Sequence, residues 1–311
     1  MKKVLKWIGI ILLGILLIGT LVAFYLKSKF ENLDKRSFSY NPKMIEIPSD
    51  SASFARGKLL SVGCRKCHGP DLGGKDFFND PAFGYMSSPN LTPGKGSATE
   101  KYTDKDWLNA LRHGINPAGK PLMIMPSESI GLLNDIDLGA LIAYLKSAPP
   151  VDKPRGPTHF TFMASVMAGS GLFGNLYPHD IIEHNAMEKI ETIPVSALPV
   201  YGEYLTKFHG CKTCHGKNLN GGLHPDPVFP PVPNITTQGN FGKWTLEQFK
   251  QTLRTGTTPE GKIMDSKSMP WAGIGVHTDT ELEALYNYLK SIPAMENDPA
   301  YDKKVKALGK K

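Results

Sequence analysis

The sequence predicts an all-α, loop-rich protein of two tandem domains behind an N-terminal membrane-spanning helix. Three observations predict it. An uncharged, almost wholly apolar run from Trp7 to Leu26 is long enough to cross a bilayer. A set of segments recurs once along the chain at an offset near 144 residues. Glycine (31) and proline (25) are abundant among 311 residues, which argues for long loops wrapped around something rather than dense regular structure.

The apolar run comes first. Its twenty residues, at a rise of about 1.5 Å each, span roughly 30 Å as a helix. Lys2, Lys3 and Lys6 precede it, and Lys27 and Lys29 follow. A cleaved signal peptide, the alternative, would have a shorter apolar core and a small-residue cleavage site. An uncleaved anchor over 1–29 fits better. Residues 30–49 read as a polar tether, with Pro42, Pro48 and scattered charges but no helical period.

The formal charge is +7, with +5 in the first 49 residues and +3 in the last fifteen. The intervening chain is close to neutral. Nucleic-acid binding wants a basic face on a folded domain, so the composition argues against it. The ends read as a membrane flank and a basic tail, 297–311.

All four cysteines fall in two copies of one pattern: Cys64-Arg65-Lys66-Cys67-His68 and Cys211-Lys212-Thr213-Cys214-His215. C-x-x-C-H is the attachment motif of c-type haem. Each sulfur adds across one vinyl group, two intervening residues set the sulfurs at vinyl spacing, and the histidine meets the iron. A redox dithiol needs no histidine after the pair. A four-sulfur zinc site needs its pairs close in sequence, and these are 147 residues apart. Two covalent haem c groups therefore account for every cysteine.

The repeat also selects the sixth ligand. Pro89-Asn90-Leu91-Thr92 returns as Pro233-Asn234-Ile235-Thr236, Met125-Pro126 as Met269-Pro270, and Tyr144-Leu145-Lys146-Ser147 as Tyr288-Leu289-Lys290-Ser291, all at offset 144. Electron-transfer cytochromes place Met opposite His on the iron. Met123 and Met264 have no methionine at the matching position, whereas Met125 and Met269 match each other and both precede proline. The expected iron ligands are thus His68 with Met125 and His215 with Met269. Met123, Met163 and Met167 suit core filling. His113, His159, His179, His184, His209, His224 and His277 do not recur in register and read as surface or loop residues.

Three helices are expected in each domain. The first runs through Arg56-Gly57-Lys58 or Tyr204-Leu205 into the attachment motif. The second starts at Thr103 or Thr245 with Asp106 or Gln248 three residues on, a capping-box spacing, and ends at Gly114 or Gly256. The last starts near Asn134 or Thr278 and stops before Pro149 or Pro293. No run of alternating strand residues is evident. The first domain is expected over 50–150, a linker over 151–195, and the second domain over 196–296. Within the linker, Phe160 to Leu176 is apolar but too short for a second span.

An N-terminal helix entering C-x-x-C-H, a Met-Pro loop and a Tyr-Leu helix resemble the class I cytochrome c fold. More narrowly, the Pro-Asn-(Leu/Ile)-Thr segment is similar to that of cytochrome c subunits of membrane-bound alcohol, aldehyde and gluconate dehydrogenases. The resemblance implies an electron carrier rather than an enzyme, and the two attachment motifs make it dihaem. Its partners would be the membrane and a redox protein: a dehydrogenase, a quinol-oxidising complex or a terminal oxidase. It also implies that Asn90, Trp107, Arg112, Asn234, Trp244 and Arg254 line the haems or meet propionates. Because haem is attached to C-x-x-C-H outside the bacterial cytoplasm, the globular part is expected on the periplasmic face of the inner membrane. The rivals are a dihaem peroxidase, which needs an iron site that opens, and a haem-based sensor, which needs an exchangeable ligand.

Overall fold

The computed structural model describes residues 2–226 and 228–308. Met1 of the expected anchor and residues 309–311 of the expected tail lie outside the described residues. The chain divides into two compact units. The first comprises Met1–Pro42, Cys64–Met125 and Ser147–Ile182; the second comprises Lys43–Gly63, Pro126–Lys146 and Glu183–Lys311.

In the first unit, α1 runs over Lys2–Lys35, six residues beyond the expected anchor. It is long and apolar enough to cross a membrane, and its large apolar side chains from Val4 to Tyr25 are exposed. Its last turns are different. Phe30 is buried with Ala168 and Tyr177, so the helix continues where the tether was expected because tertiary packing covers it. Beyond α1 the tether is extended and held down: Phe38 donates its N–H to the Gly119 carbonyl at 2.8 Å.

A short antiparallel sheet, in the order β1-β2-β3, was not anticipated. It consists of β1 (Lys75–Asp80), β2 (Gly84–Ser88) and β3 (His159–Phe160). Asp80 closes the hairpin by accepting the Ala82 N–H at 2.7 Å. The sequence hid this sheet for two reasons. A register shift between Asp76 and Phe78 breaks the alternation of β1, and the two-residue β3 pairs with β2 from over seventy residues away. The unit also holds α4 (Asp104–Leu108), which continues as a π-helix over Asn109–His113. The Phe160 to Leu176 segment contains α7 (Phe162–Gly169), packed on α1.

The second unit is built on two helix crossings. In one, α2 (Ser51–Leu60) meets α6 (Asp135–Lys146); in the other, α9 (Pro199–Phe208) meets α13 (Asp279–Ser291). Local signals start these helices. Asp50 caps α2 by accepting the Ala52 and Ser53 N–H groups, and Thr278 with Glu281 forms a capping box on α13. The crossings are close because each has a glycine at its centre. A Cβ on Gly57 would lie 2.0 Å from the Ala140 carbonyl oxygen, and one on Gly202 would lie 2.0 Å from that of Ala284. Leu138, Leu141, Ile142 and Leu145 of α6 are buried, as are Leu282, Leu285 and Leu289 of α13. Further helices of the unit are α5 (Ser127–Ile130), α8 (His184–Met187), α10 (Cys211–His215), α11 (Leu246–Thr255), α12 (Trp271–Gly275) and α14 (Pro299–Leu308).

A buried polar network joins the helices of this unit. Arg56 bonds Asp137 at 2.7 Å and Glu281 at 2.6 Å, and the Tyr204 hydroxyl donates to Asp137 at 2.6 Å. His209 and His277 meet through their Nε2 atoms at 2.9 Å, and His277 Nδ1 lies 3.1 Å from Glu281. Pairing is what makes burying such charges tolerable.

Candidate functional site

Cys64, Cys67 and His68 lie on α3 (Val62–His68), and Cys211, Cys214 and His215 on α10. One helical turn therefore carries the whole attachment motif in each copy. None of the four cysteines is in a disulfide. Burial pushes the Cys64 thiol up to about 11 and the Cys211 thiol up to about 12, and it raises Cys67 as well. A catalytic dithiol shows the opposite, a lowered thiol pKa.

The two histidines are buried and held alike. His68 donates its Nδ1–H to the Pro89 carbonyl, and His215 donates its Nδ1–H to the Pro233 carbonyl, both at 2.9 Å. The carbonyl can only accept, so the bond fixes the tautomer and leaves Nε2 as the ring's lone-pair donor. Burial lowers both imidazole pKa values and outweighs the opposing pull of the proline carbonyl. A neutral imidazole whose second nitrogen is tied to a backbone carbonyl is the form that binds a metal. The donor set in each copy thus fits a C-x-x-C-H haem.

The turn after each motif also repeats. Leu72 and Leu219 both have φ of +60°, a left-handed conformation that is costly without glycine. Their positions are overdetermined. Each is buried, and each carbonyl accepts the N–H of the residue after the Pro-Asn pair, Leu91 or Ile235, at 2.9 Å.

The recurrent Pro-Asn-(Leu/Ile)-Thr segment has a local role in each copy. The proline carbonyl orients the histidine, and the rest of the motif is a clasp. Asn90 Oδ1 accepts the N–H and hydroxyl of Thr92, while its amide donates to the Val151 carbonyl at 2.7 Å. Asn234 repeats this with Thr236 and the Met295 carbonyl at 2.8 Å. Recurrence at offset 144 was the signal. The link to histidine was hidden because Pro89 lies 21 residues after His68, whereas Pro233 lies 18 after His215. The three extra residues fall in the stretch that carries the β1–β2 hairpin.

Met125 and Met269 are both half-buried, each just before a proline that caps a short helix. Pro126 and Pro270 adopt nearly the same backbone, with ψ of 55° and 51°. Met123 packs instead against Phe30, Ala168 and Tyr177, as core filling requires. Met163 is exposed, against the core-filling expectation. The histidine expectation also needs correction, because His113, His179 and His277 are buried. Each has aromatic or polar company. Tyr40 stacks on His113 with ring centroids 4.4 Å apart and bonds His179 through its hydroxyl at 3.1 Å, and His277 belongs to the network above. Trp244 donates its indole N–H to Glu260, and Arg254 reaches Asp279.

Two single-turn attachment motifs, each backed by a buried histidine of fixed tautomer, define a c-type haem protein with two sites. The cytochrome c family profile matches residues 54–149 and 200–293. The chain belongs to the cytochrome c family, and its cofactors are two covalently attached haem c groups.

The chain is 28% identical over 274 residues to the fructose dehydrogenase cytochrome subunit of Gluconobacter japonicus, covering 78% of this chain and 53% of that protein. It is 27% identical over 290 residues to a diheme cytochrome c-type protein of Cereibacter sphaeroides, covering 84% and 92%. It is 25% identical over 275 residues to the alcohol dehydrogenase (quinone) cytochrome c subunit of Gluconobacter oxydans, covering 79% and 56%. The chain spans about half the length of the two dehydrogenase subunits.

Proposed function

We propose that this protein is a membrane-anchored dihaem cytochrome c that passes single electrons from a respiratory dehydrogenase or quinol-oxidising complex to a terminal acceptor. The observation that carries the reading is the matched pair of buried histidines, each bonded to a proline carbonyl at 2.9 Å behind a C-x-x-C-H turn. The dehydrogenase cytochrome subunits among the relatives support the choice of donor.

When bound, haem c supplies reversible one-electron exchange between Fe(III) and Fe(II). Cys64 and Cys67 hold one group by thioether bonds, and Cys211 and Cys214 hold the other. His68 and His215, with Nδ1 tied to the proline carbonyls, would hold the iron through Nε2. Met125 and Met269 would supply thioether ligands, a donor that favours Fe(II) and would leave no coordination position open to oxygen or peroxide. The proline after each methionine fixes the local backbone. The domains run over 50–150 and 196–296, joined by 151–195. The chain positions and insulates the carriers and transforms no substrate itself. With α1 as a single-pass anchor, the globular part faces the periplasm.

The test is spectroscopic. Haem staining of a denaturing gel and a haemochrome assay should report two covalent haems per chain. The oxidised protein should show the weak near-infrared sulfur-to-iron band at an intensity of two per chain, and Met125→His or Met269→His should each remove half. Catalytic peroxide turnover, or ready carbon monoxide binding to the reduced protein, would replace the carrier with the peroxidase or sensor reading.

A further inference from the structure

We infer that α7 and the 170–176 loop form a second membrane contact, an apolar foot set into the lipid interface beside α1 without crossing the bilayer. The inference rests on the reading of α1 as a membrane anchor. From Phe160 to Pro178 the chain carries no charged residue. Yet α7 has only eight residues, roughly 12 Å of helix, so it cannot span.

Its two faces differ. Ala164, Ser165, Ala168 and Gly169 are buried. Gly169 lies so close to α1 that a Cβ there would sit 1.9 Å from the Leu26 carbonyl oxygen, and the Phe162 ring meets Phe24 edge-on at 5.3 Å. With Phe30 packed on Ala168 and Tyr177, α7 grips α1 from Phe24 to Phe30. That stretch is where the uncharged run of α1 ends and Lys27 and Lys29 begin, the depth at which acyl chains give way to headgroups. The other face is apolar and uncovered. Phe162 is 46% exposed and Met163 61%, and in the loop Leu172 is 66% and Phe173 40% exposed. Through Phe162 this surface continues into the exposed Phe24 and Tyr25 of α1, which the anchor already commits to lipid. A large apolar surface at that depth is satisfied by the acyl–headgroup boundary. Two attachments would also prevent the rotation about α1 that a single helix allows.

The experiment uses the full-length holoprotein in phosphatidylcholine–phosphatidylglycerol vesicles with an aryl diazirine that partitions into the acyl layer, read by peptide mass spectrometry. Label should appear on α1 and also on Phe162, Met163, Leu172 and Phe173, about fivefold or more above that on Val228 and Ile263, which are 84% and 80% exposed but remote from α1 in sequence. In Met163→Glu/Leu172→Glu, both changes at exposed positions, the foot's label should fall about fivefold while that on α1 persists. Label confined to α1 would overturn the foot and leave the anchor standing. Absence of label from α1 as well would overturn both. Loss of the foot's label as the protein-to-lipid ratio is raised, with α1 still labelled, would make it an interface between copies of the protein and overturn the proposal.

Discussion

The second helix of each copy spans the same interval and ends differently. From the Thr103 capping box the first copy is α-helical to Leu108, then widens into a π-turn over Asn109–His113, where the Gly114 N–H reaches back five residues to Asn109. From the Thr245 capping box the second copy stays α-helical to Thr255, and the Gly256 N–H reaches back four, to Thr252. Both stop on a left-handed glycine. The widened turn buries Arg112 and His113, and Tyr40 of the tether stacks on His113. Their counterparts Arg254 and Thr255 are exposed, and Arg254 reaches out to Asp279. The attachment turns, the proline–histidine bonds and the asparagine clasps hardly differ between copies. Divergence collects in the β1–β2 hairpin and where the first copy receives the chain leading from α1. Cofactor-holding parts answer to one fixed chemistry; the rest answers to whatever packs on it.

The largest expected effect tests the shared part. Gly57→Ala and Gly202→Ala each drive a Cβ into a backbone carbonyl, which cannot yield as a flexible side chain would. Each should cost about 3 kcal/mol or more in denaturant unfolding. A much smaller loss in one copy would show that its crossing is adjustable and would break the equivalence.

Acid should come next, through the second unit. Burial, aided by His277, lowers His209 to about 3. Burial pulls Glu281 upward, but His277 and Arg56 outweigh it and hold the carboxylate below its usual range. Both groups take up protons more readily in the unfolded chain. The stability they contribute is therefore intact above about pH 6.5 and is lost as pH falls toward 3. The melting temperature should drop progressively across that window, and His209→Gln should flatten its upper part, between about pH 6.5 and 5. A drop of undiminished steepness in that variant would show that His209 is not held neutral.

The clasps sharpen the comparison. Asn90→Ala removes two accepted bonds and one donated bond, and Asn234→Ala removes the same set plus a second donated bond, to Asn297 at 3.2 Å. Each should destabilise by about 2 kcal/mol, to similar extents. The smallest effect belongs to the first copy. Tyr40→Phe keeps the stack on His113 but removes the hydroxyl bond to His179, and it should cost about 1 kcal/mol in thermal unfolding.

The helices that were legible carry their instructions locally. Thr103 with Asp106, Thr245 with Gln248 and Thr278 with Glu281 all form capping boxes, and Gly114 and Gly256 end their helices where expected. The sheet, the π-turn and the extension of α1 were not legible, because each depends on a partner distant in the chain: β3 for β2, Tyr40 for His113, and Ala168 with Tyr177 for Phe30. The histidines fared the same way. Sequence register separates His68 and His215 from the other seven, but it does not say that three of those seven are buried and that a fourth, His209, is partly buried with its Nε2 against His277.

The sequence alone determined the covalent chemistry, the number of cofactors and the long apolar N-terminal helix, because each is written in contiguous residues whose spacing already meets the chemical requirement. Tertiary structure alone decided which imidazole nitrogen is left to bind, which charges are buried together and where the tether lies. These depend on carbonyls, rings and carboxylates brought within about 3 Å of one another from positions tens to hundreds of residues apart.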